Sequence, residues 1–176
     1  MEQWLEDSRR AEWQKPAEVL AALALRGDET VADIGAGTGY FTRLFSGHAA
    51  KVYAVDVEAR LLERIASLRL PNVVTVLAAT DDPRLPGAAT DTIFLCNVLH
   101  HIANRSAYYQ KLRAALRPGG RIVIIDFHKR PLPEGPPPSM KLAGEEVEQE
   151  FHEAGFRLDR KHRFLPYQYF LEFRPR

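Results

Sequence analysis

The 176-residue chain has a single cysteine, Cys96, so it can form no intramolecular disulfide and cannot be a bridge-stapled scaffold. A lone thiol suits a reducing compartment, and a cytoplasmic location is expected. Charge of one sign is also missing: 24 Lys and Arg face 23 Asp and Glu, for a formal net charge of +1. Such a balance lacks the basic footprint that draws nucleic-acid binders to phosphate, so no nucleic-acid partner is expected. Long apolar runs are absent too. The longest purely aliphatic stretch is Val19 to Leu25, far short of the ~20 residues a membrane helix needs, so no membrane span is expected. Residues 1–10 carry Glu2, Glu6 and Asp7 and no apolar core, so no secretory signal is expected.

What is present is the composition of one globular domain over residues 1–176, with 45% hydrophobic and 27% charged residues. A chain of this length can bury roughly 70% of its unfolded surface, enough for a core without metal or disulfide support. Pro131, Pro133, Pro136, Pro137 and Pro138 crowd into a loop over residues 129–140, since proline can continue neither helix nor strand there.

Before that loop, short β-branched runs alternate with segments of helical period, the pattern of an α/β sheet with parallel strands. The strands are expected at 30–34, 52–55, 73–77, 92–96 and 121–126. Between them, Val19, Leu20 and Leu23, then Phe41, Leu44 and Phe45, then Leu61, Leu62 and Ile65, and finally Tyr108, Leu112 and Ala115 recur at helical spacing. Gly27, Gly47 and the Pro118-Gly119-Gly120 triplet are expected to close helices. After the loop comes a helix over 145–154, capped by Gly155, and then two strands at 156–164 and 167–173. Only Leu165 and Pro166 separate these strands, too short a link for a parallel crossover, so that pair runs antiparallel. Five parallel strands and this pair make a seven-stranded sheet.

The sharpest motif is Val31-Ala32-Asp33-Ile34-Gly35-Ala36-Gly37-Thr38-Gly39-Tyr40, a strand running through glycines into an amphipathic helix. Without Cβ atoms the backbone can turn tightly and approach a ligand lying across the strand's carboxyl end. Asp56 closes the next strand, 21 positions beyond Gly35, where a carboxylate can accept two hydrogen bonds from a ribose. A dinucleotide could lie over the same turn. Its fingerprint, however, places glycine at the first, third and sixth positions, whereas here the sixth is Tyr40. Asp33, two residues before the first glycine, suits an ammonium group and is unfavourable for a pyrophosphate. An aminoacyl-bearing nucleoside fits better.

With these residues the sequence resembles the class I methyltransferases that use S-adenosylmethionine, from about Trp13 to the C-terminus. Val31 to Tyr40 resembles that family's first motif, and Leu77-Ala78-Ala79-Thr80-Asp81-Asp82 its adenine-recognising segment. Asn97-Val98-Leu99-His100-His101-Ile102 is similar to the stretch after the fourth strand, and Leu116-Arg117-Pro118-Gly119-Gly120-Arg121 to the turn before the fifth. The resemblance implies an α/β, three-layer, Rossmann-like sandwich with strand order 3-2-1-4-5-7-6, strand 7 antiparallel. It further implies S-adenosylmethionine as cofactor, with Gly35, Ala36 and Gly37 at the methionine moiety and Asp56 on the ribose; Asp33 and Gly39 are expected among the cofactor-binding residues as well. Val57 would pack on the adenine, Thr80 or Asp81 would face its amino group, and Asn97 would sit near the methionine end. The family's usual Gly-Asp after the third strand reads Ala78-Ala79 here.

Methyl transfer is an in-line displacement, and a base is needed only if the acceptor must lose a proton. His100 and His101 after the fourth strand, and Asp126 and His128 after the fifth, stand where such a base would be; His100 or His128 is the expected catalytic group. No metal site is expected, since adjacent His100 and His101 diverge on a helix and no cysteine cluster completes a ligand set. Residues 1–15, with Trp4, Trp13, Gln14 and Lys15, form either a flap over the cofactor or an ordinarily packed helix. Arg157, Arg160, Lys161 and Arg163 with Phe164, Tyr167, Tyr169 and Phe170 read as a solvated edge and a hairpin core. No inserted cap domain is visible, which favours a small-molecule acceptor. A nicotinamide-dependent oxidoreductase, or a nucleoside-binding protein without turnover, are the alternatives.

Overall fold

The computed structural model describes residues 9–176; Trp4 and the first part of the expected flap lie outside them. The elements are α1 (Arg10–Gln14), α2 (Pro16–Leu23), β1 (Thr30–Ile34), α3 (Tyr40–Ser46), β2 (Lys51–Asp56), α4 (Ala59–Ser67), β3 (Val73–Leu77) and β4 (Thr90–Cys96). A 3₁₀ turn at Leu99–His101 leads to α5 (Arg105–Ala115) and β5 (Leu116–Phe127), followed by α6 (Gly144–Glu153), β6 (Phe156–His162) and β7 (Gln168–Pro175). Seven strands form one sheet in the order β3-β2-β1-β4-β5-β7-β6. The first five run parallel, and β7 pairs antiparallel with both neighbours, Ile124 facing Leu171 across β5 and β7. The expected architecture and strand order are those observed.

The central strands are buried on both faces, which is why they read as continuous β-branched runs rather than as alternating ones. On one face Ala32, Ile34, Ile93, Leu95, Ile122 and Ile124 pack against Tyr109 and Leu112 of α5 and Val147 and Phe151 of α6. On the other, Val31, Val52, Phe94 and Val123 meet Val19 and Leu23 of α2 and Phe41 and Phe45 of α3. Leu62 and Ile65 of α4 extend that layer over Ala54. Phe94 lies at its centre, with ring centroids 4.8 Å from Phe41 and 5.0 Å from Phe45.

Helix ends meet the glycine expectation only in part. The end of α2 comes before Gly27, with Ala24 taking the left-handed cap at φ 45°. Gly47 closes α3 at φ −82°, a conformation open to any residue. The Pro118-Gly119-Gly120 triplet does not end a helix: α5 stops at Ala115, and the triplet bows out between the pairings of Thr90 with Leu116 and Thr92 with Arg121. Gly155, at φ 89°, follows α6 as expected.

Candidate active site

The site is built where β1 and β2 end. The N–H groups of Gly35 and Ala36 both donate to the Val55 carbonyl, at 2.8 and 3.0 Å, turning the chain over the tip of β2. Gly35, Gly37 and Gly39 sit at φ 70°, 56° and 86°, the left-handed region that favours glycine. Their purposes differ. A Cβ on Gly35 would fall 2.1 Å from Val98 Cγ2, so the bare backbone makes room for the segment after β4. A Cβ on Gly39 would meet Ile65 at 3.1 Å, so Gly39 serves the packing of α3 against α4 and lines no cavity of the cleft. The N–H of Gly37 donates to Asp56 Oδ2 at 2.9 Å, and that of Glu58 to Oδ1 at 3.0 Å. These two bonds fix the carboxylate plane while each oxygen keeps a second lone pair for another donor.

Two cavities of about 330 and 350 Å³ lie side by side along the carboxyl ends of β1, β2 and β4, sharing Gly35, Gly37, Val98 and His101. They form one cleft in the place where open α/β sheets bind ligands. Asp56, Val57, Ala78, Thr80 and Tyr108 line the second cavity. Val57 is 51% exposed, an apolar side chain held out at a strand tip as a platform. Thr80 stands in that wall; Asp81 does not, and its carbonyl accepts from Lys111 Nζ outside the cleft.

Arg10, Asp33, Thr38, Tyr40, Asn97, His100 and Phe127 line the first cavity, together with Gly135 and Pro136 of the proline loop. Asp33 is 3% exposed, and burial pushes its carboxyl up to about 7, against a hydrogen bond from Thr42 Oγ1 at 2.6 Å and the nearby Arg10 guanidinium. Arg10 is itself buried, 4.0 Å over the Tyr40 ring. Burial likewise raises the Cys96 thiol to about 12, so it is an inert core group. Asn97 adopts φ 60°, rare for a residue with a side chain. It is held there by its N–H on the Ile125 carbonyl and by Gln14 and Gln168, the latter donating to Asn97 Oδ1 at 2.6 Å. Gln14 and Gln168 are joined at 2.6 Å, and Trp13 lies 5.5 Å from Phe127. The described part of the N-terminal segment is thus a packed helix that also walls the cleft.

His100 Nδ1 lies 2.9 Å from Asp126 Oδ2, with both side chains buried. His101 does not diverge from it: in the tight 3₁₀ turn their ring centroids are 4.1 Å apart. Partial burial and His100 hold the His101 imidazole below its usual value. His128 is elsewhere. It lines a separate groove with Glu145, Lys161, His162 and Gln168, and burial followed by Arg130 lowers its pKa. Of the two expected catalytic histidines, the structure brings His100 alone to the cleft. Arg10, Phe127 and the Gly135-Pro136 wall had no signal in the sequence, because each reaches the cleft from a distant segment; Thr38 lay within the glycine motif, where its neighbours carried the signal.

Comparison with known proteins bears on this geometry. Residues 32–122, just over half the chain, match the family described as "Methyltransferase domain". The chain belongs to the class I S-adenosylmethionine-dependent methyltransferases. A solved S-adenosylmethionine-dependent methyltransferase from Aquifex aeolicus superposes with a TM-score of 0.91 at 27% identity, covering 98% of this chain and 95% of that one. Among curated relatives, a demethylmenaquinone methyltransferase of Tropheryma whipplei (strain Twist) is 31% identical over 119 residues, 66% of this chain and 48% of that protein. A tRNA U34 carboxymethyltransferase of Ruthia magnifica is 33% identical over 114 residues, 58% of this chain and 35% of the relative. The chain spans about half the length, or less, of these curated relatives.

The residues of this methyltransferase fit S-adenosylmethionine. Thr38 Oγ1 is buried in the first cavity with no hydrogen-bond partner among the described residues, a polar group left for a ligand. Asp56 suits the ribose and Val57 an adenine face. Asp33 and Arg10, both buried in the first cavity, are the opposite charges that an α-ammonium and α-carboxylate require.

Proposed function

We propose that this methyltransferase binds S-adenosylmethionine through Asp33, Gly35, Ala36, Gly37, Asp56, Val57, Thr80 and Asn97 and transfers its methyl group to a small-molecule acceptor. The observation that carries the reading is the continuous cleft: ribose, adenine and amino-acid chemistry are each matched by a side chain in the order in which the nucleoside presents them. When bound, the sulfonium supplies an activated methyl group. The protein aligns and dries it. Asp56 holds one end of the cleft and Asp33 with Arg10 the other, while the aromatic and proline walls exclude water, so positioning provides much of the rate.

The walls support a small acceptor. Beyond the shared part of the cleft, Phe127, Gly135 and Pro136 enclose a modest, apolar space. Three basic residues of the C-terminal hairpin are already neutralised, Lys161 by Glu148 and Arg157 and Arg174 by Asp159, which speaks against a phosphate track there. The relative named for demethylmenaquinone supports the same class, and the relative named for tRNA points elsewhere. Cys96, a buried free thiol, suits a cytoplasmic setting. No described helix is long and apolar enough to cross a membrane.

Calorimetric titration with S-adenosylhomocysteine, and separately with NAD and NADP, tests the reading. Saturable binding of the homocysteine compound alone is expected; binding of a nicotinamide dinucleotide without it overturns the assignment.

A further inference from the structure

We propose that the acceptor is a small apolar molecule carrying an aromatic or enolic hydroxyl, that His100 removes its proton, and that Asp126 is the positioning residue that makes His100 able to do so. This rests on the cofactor reading above and adds the chemistry of the other substrate.

Asp126 is 1% exposed at the end of β5, where its Oδ1 accepts the Phe127 N–H at 2.8 Å and both oxygens lie within 3.0 Å of His100 Nδ1. A carboxylate only accepts, so Nδ1 carries a hydrogen toward Asp126, and in the neutral imidazole Nε2 is left with a free lone pair. No described residue is hydrogen bonded to Nε2, and His100 lines the first cavity. The ring therefore stands as a proton acceptor braced from behind by a buried anion. A neutral amine or a thiolate attacks a methyl group without surrendering a proton first, whereas a hydroxyl must lose one, and the arrangement matches that need.

The lining selects the rest of the molecule. The adenosine-side cavity shares Gly35, Gly37, Val98 and His101 with the first, whereas His100, Phe127, Gly135 and Pro136 belong to the first alone. The first cavity also carries Arg10, Asp33, Thr38 and Asn97, assigned above to the amino-acid end of the cofactor, so the wall left for the acceptor is one base beside Phe127, Gly135 and Pro136. Gly135, at φ 89°, lets the proline loop close on Phe127, since a Cβ there would come within 2.9 Å of the ring. Lys141 ties the loop's far end down through the Arg130 carbonyl at 2.9 Å.

Acidity selects the hydroxyl. Taking the proton of a phenol is uphill for an ordinary imidazole by a factor of roughly 10³ to 10⁴, whereas a water-like alcohol costs roughly 10⁹. In the step, His100 Nε2 takes the hydroxyl proton and the oxygen forms a bond to the methyl carbon. Sulfur keeps the electron pair of the broken S–C bond. The products are a methyl ether, S-adenosylhomocysteine and an imidazolium paired with Asp126.

The test uses the protein saturated with S-adenosylhomocysteine and 4-nitrophenol, whose phenolate form is yellow and whose neutral form is not. At a pH where free 4-nitrophenol is mostly neutral, adding the complex is expected to raise the phenolate band severalfold. His100→Gln is expected to abolish that rise and Asp126→Asn to reduce it at least tenfold, with circular dichroism confirming that each variant is folded. A merely structural Asp126 would leave the band unchanged in its folded variant. Should Asp126→Asn not fold, the wild-type and His100→Gln spectra decide alone. Absence of the band in the wild-type complex, or an equal band in His100→Gln, overturns the inference. Failure of S-adenosylhomocysteine to bind in calorimetry instead removes the cofactor reading, so the two failures are told apart.

Discussion

The two ends of the sheet bury comparable amounts of charge and treat it in opposite ways. At the amino ends of the parallel strands, Thr92 Oγ1 donates to Glu29 Oε2 at 3.2 Å and accepts from Arg121 Nε at 3.1 Å, while Arg121 Nη1 meets Glu172 Oε2 at 2.9 Å. His162 Nε2 closes the chain at 2.7 Å from Glu172 Oε1. Every group there answers another, and nothing is left over for a ligand. At the carboxyl ends, Thr38 Oγ1 and Tyr169 Oη are buried without a hydrogen-bond partner among the described residues, Asn97 holds a left-handed backbone, and the Asp33 carboxyl is pushed up to about 7. Burial of charge is thus no mark of a site. Unused hydrogen-bonding capacity and unrelieved desolvation are, because both represent free energy that a ligand can recover.

This contrast breaks most visibly if the saturated end proves to be dispensable. Glu172→Ala leaves Arg121 buried without its carboxylate and is expected to lower stability by about 3–5 kcal/mol, read from the midpoint of urea unfolding, with no change in affinity for S-adenosylhomocysteine. At the other end the effects should reverse. Asp56→Ala is expected to weaken S-adenosylhomocysteine by about 1–3 kcal/mol in calorimetry, the range for a lost charge-assisted bond, and to cost less stability than Glu172→Ala.

A pH series sharpens the comparison further. Since the folded Asp33 carboxyl titrates well above an unfolded aspartate, the native protein holds the proton longer, and apoprotein stability falls as pH rises from about 4 to about 7. The ammonium of the ligand favours the ionised form. Affinity for S-adenosylhomocysteine should therefore rise by up to about tenfold per pH unit below 7 and level off above it. Asp33→Asn should flatten that profile and stabilise the apoprotein at pH above 7; a profile unchanged in the variant would remove Asp33 from the ammonium site. The smallest effect belongs to Val57→Ser, which strips the exposed platform and should cost about 1 kcal/mol of binding with stability almost untouched.

Much of the binding half of the site was legible along the chain. The strand-glycine-helix run and the acid at the next strand tip are local patterns, and the parallel connection carries Gly37 and Asp56 to within one hydrogen bond. The reason for each glycine was not legible: Gly35 yields to Val98 and Gly39 to Ile65, partners from other elements. The acceptor half was less readable still. His100 and Asp126 each stood out as a candidate base, yet their pairing spans 26 residues and depends on β4 and β5 lying side by side. His128 looked equivalent to His100 and faces a different groove, because β5 gives way to the proline loop before reaching it.

By itself, then, the sequence determined the succession of strands and helices, the antiparallel final pair, and the glycine turn and strand-tip acid on which the proposed nucleoside site rests. Those follow from periodicity, turn chemistry and short-range spacing, which operate within one or two elements. Tertiary structure alone decided which buried charges neutralise one another and which face the cleft, what Arg10 and the proline loop enclose, and which histidine rests on Asp126. Such relations are set by side chains that meet across the sheet, where distance along the chain carries no information about distance in space.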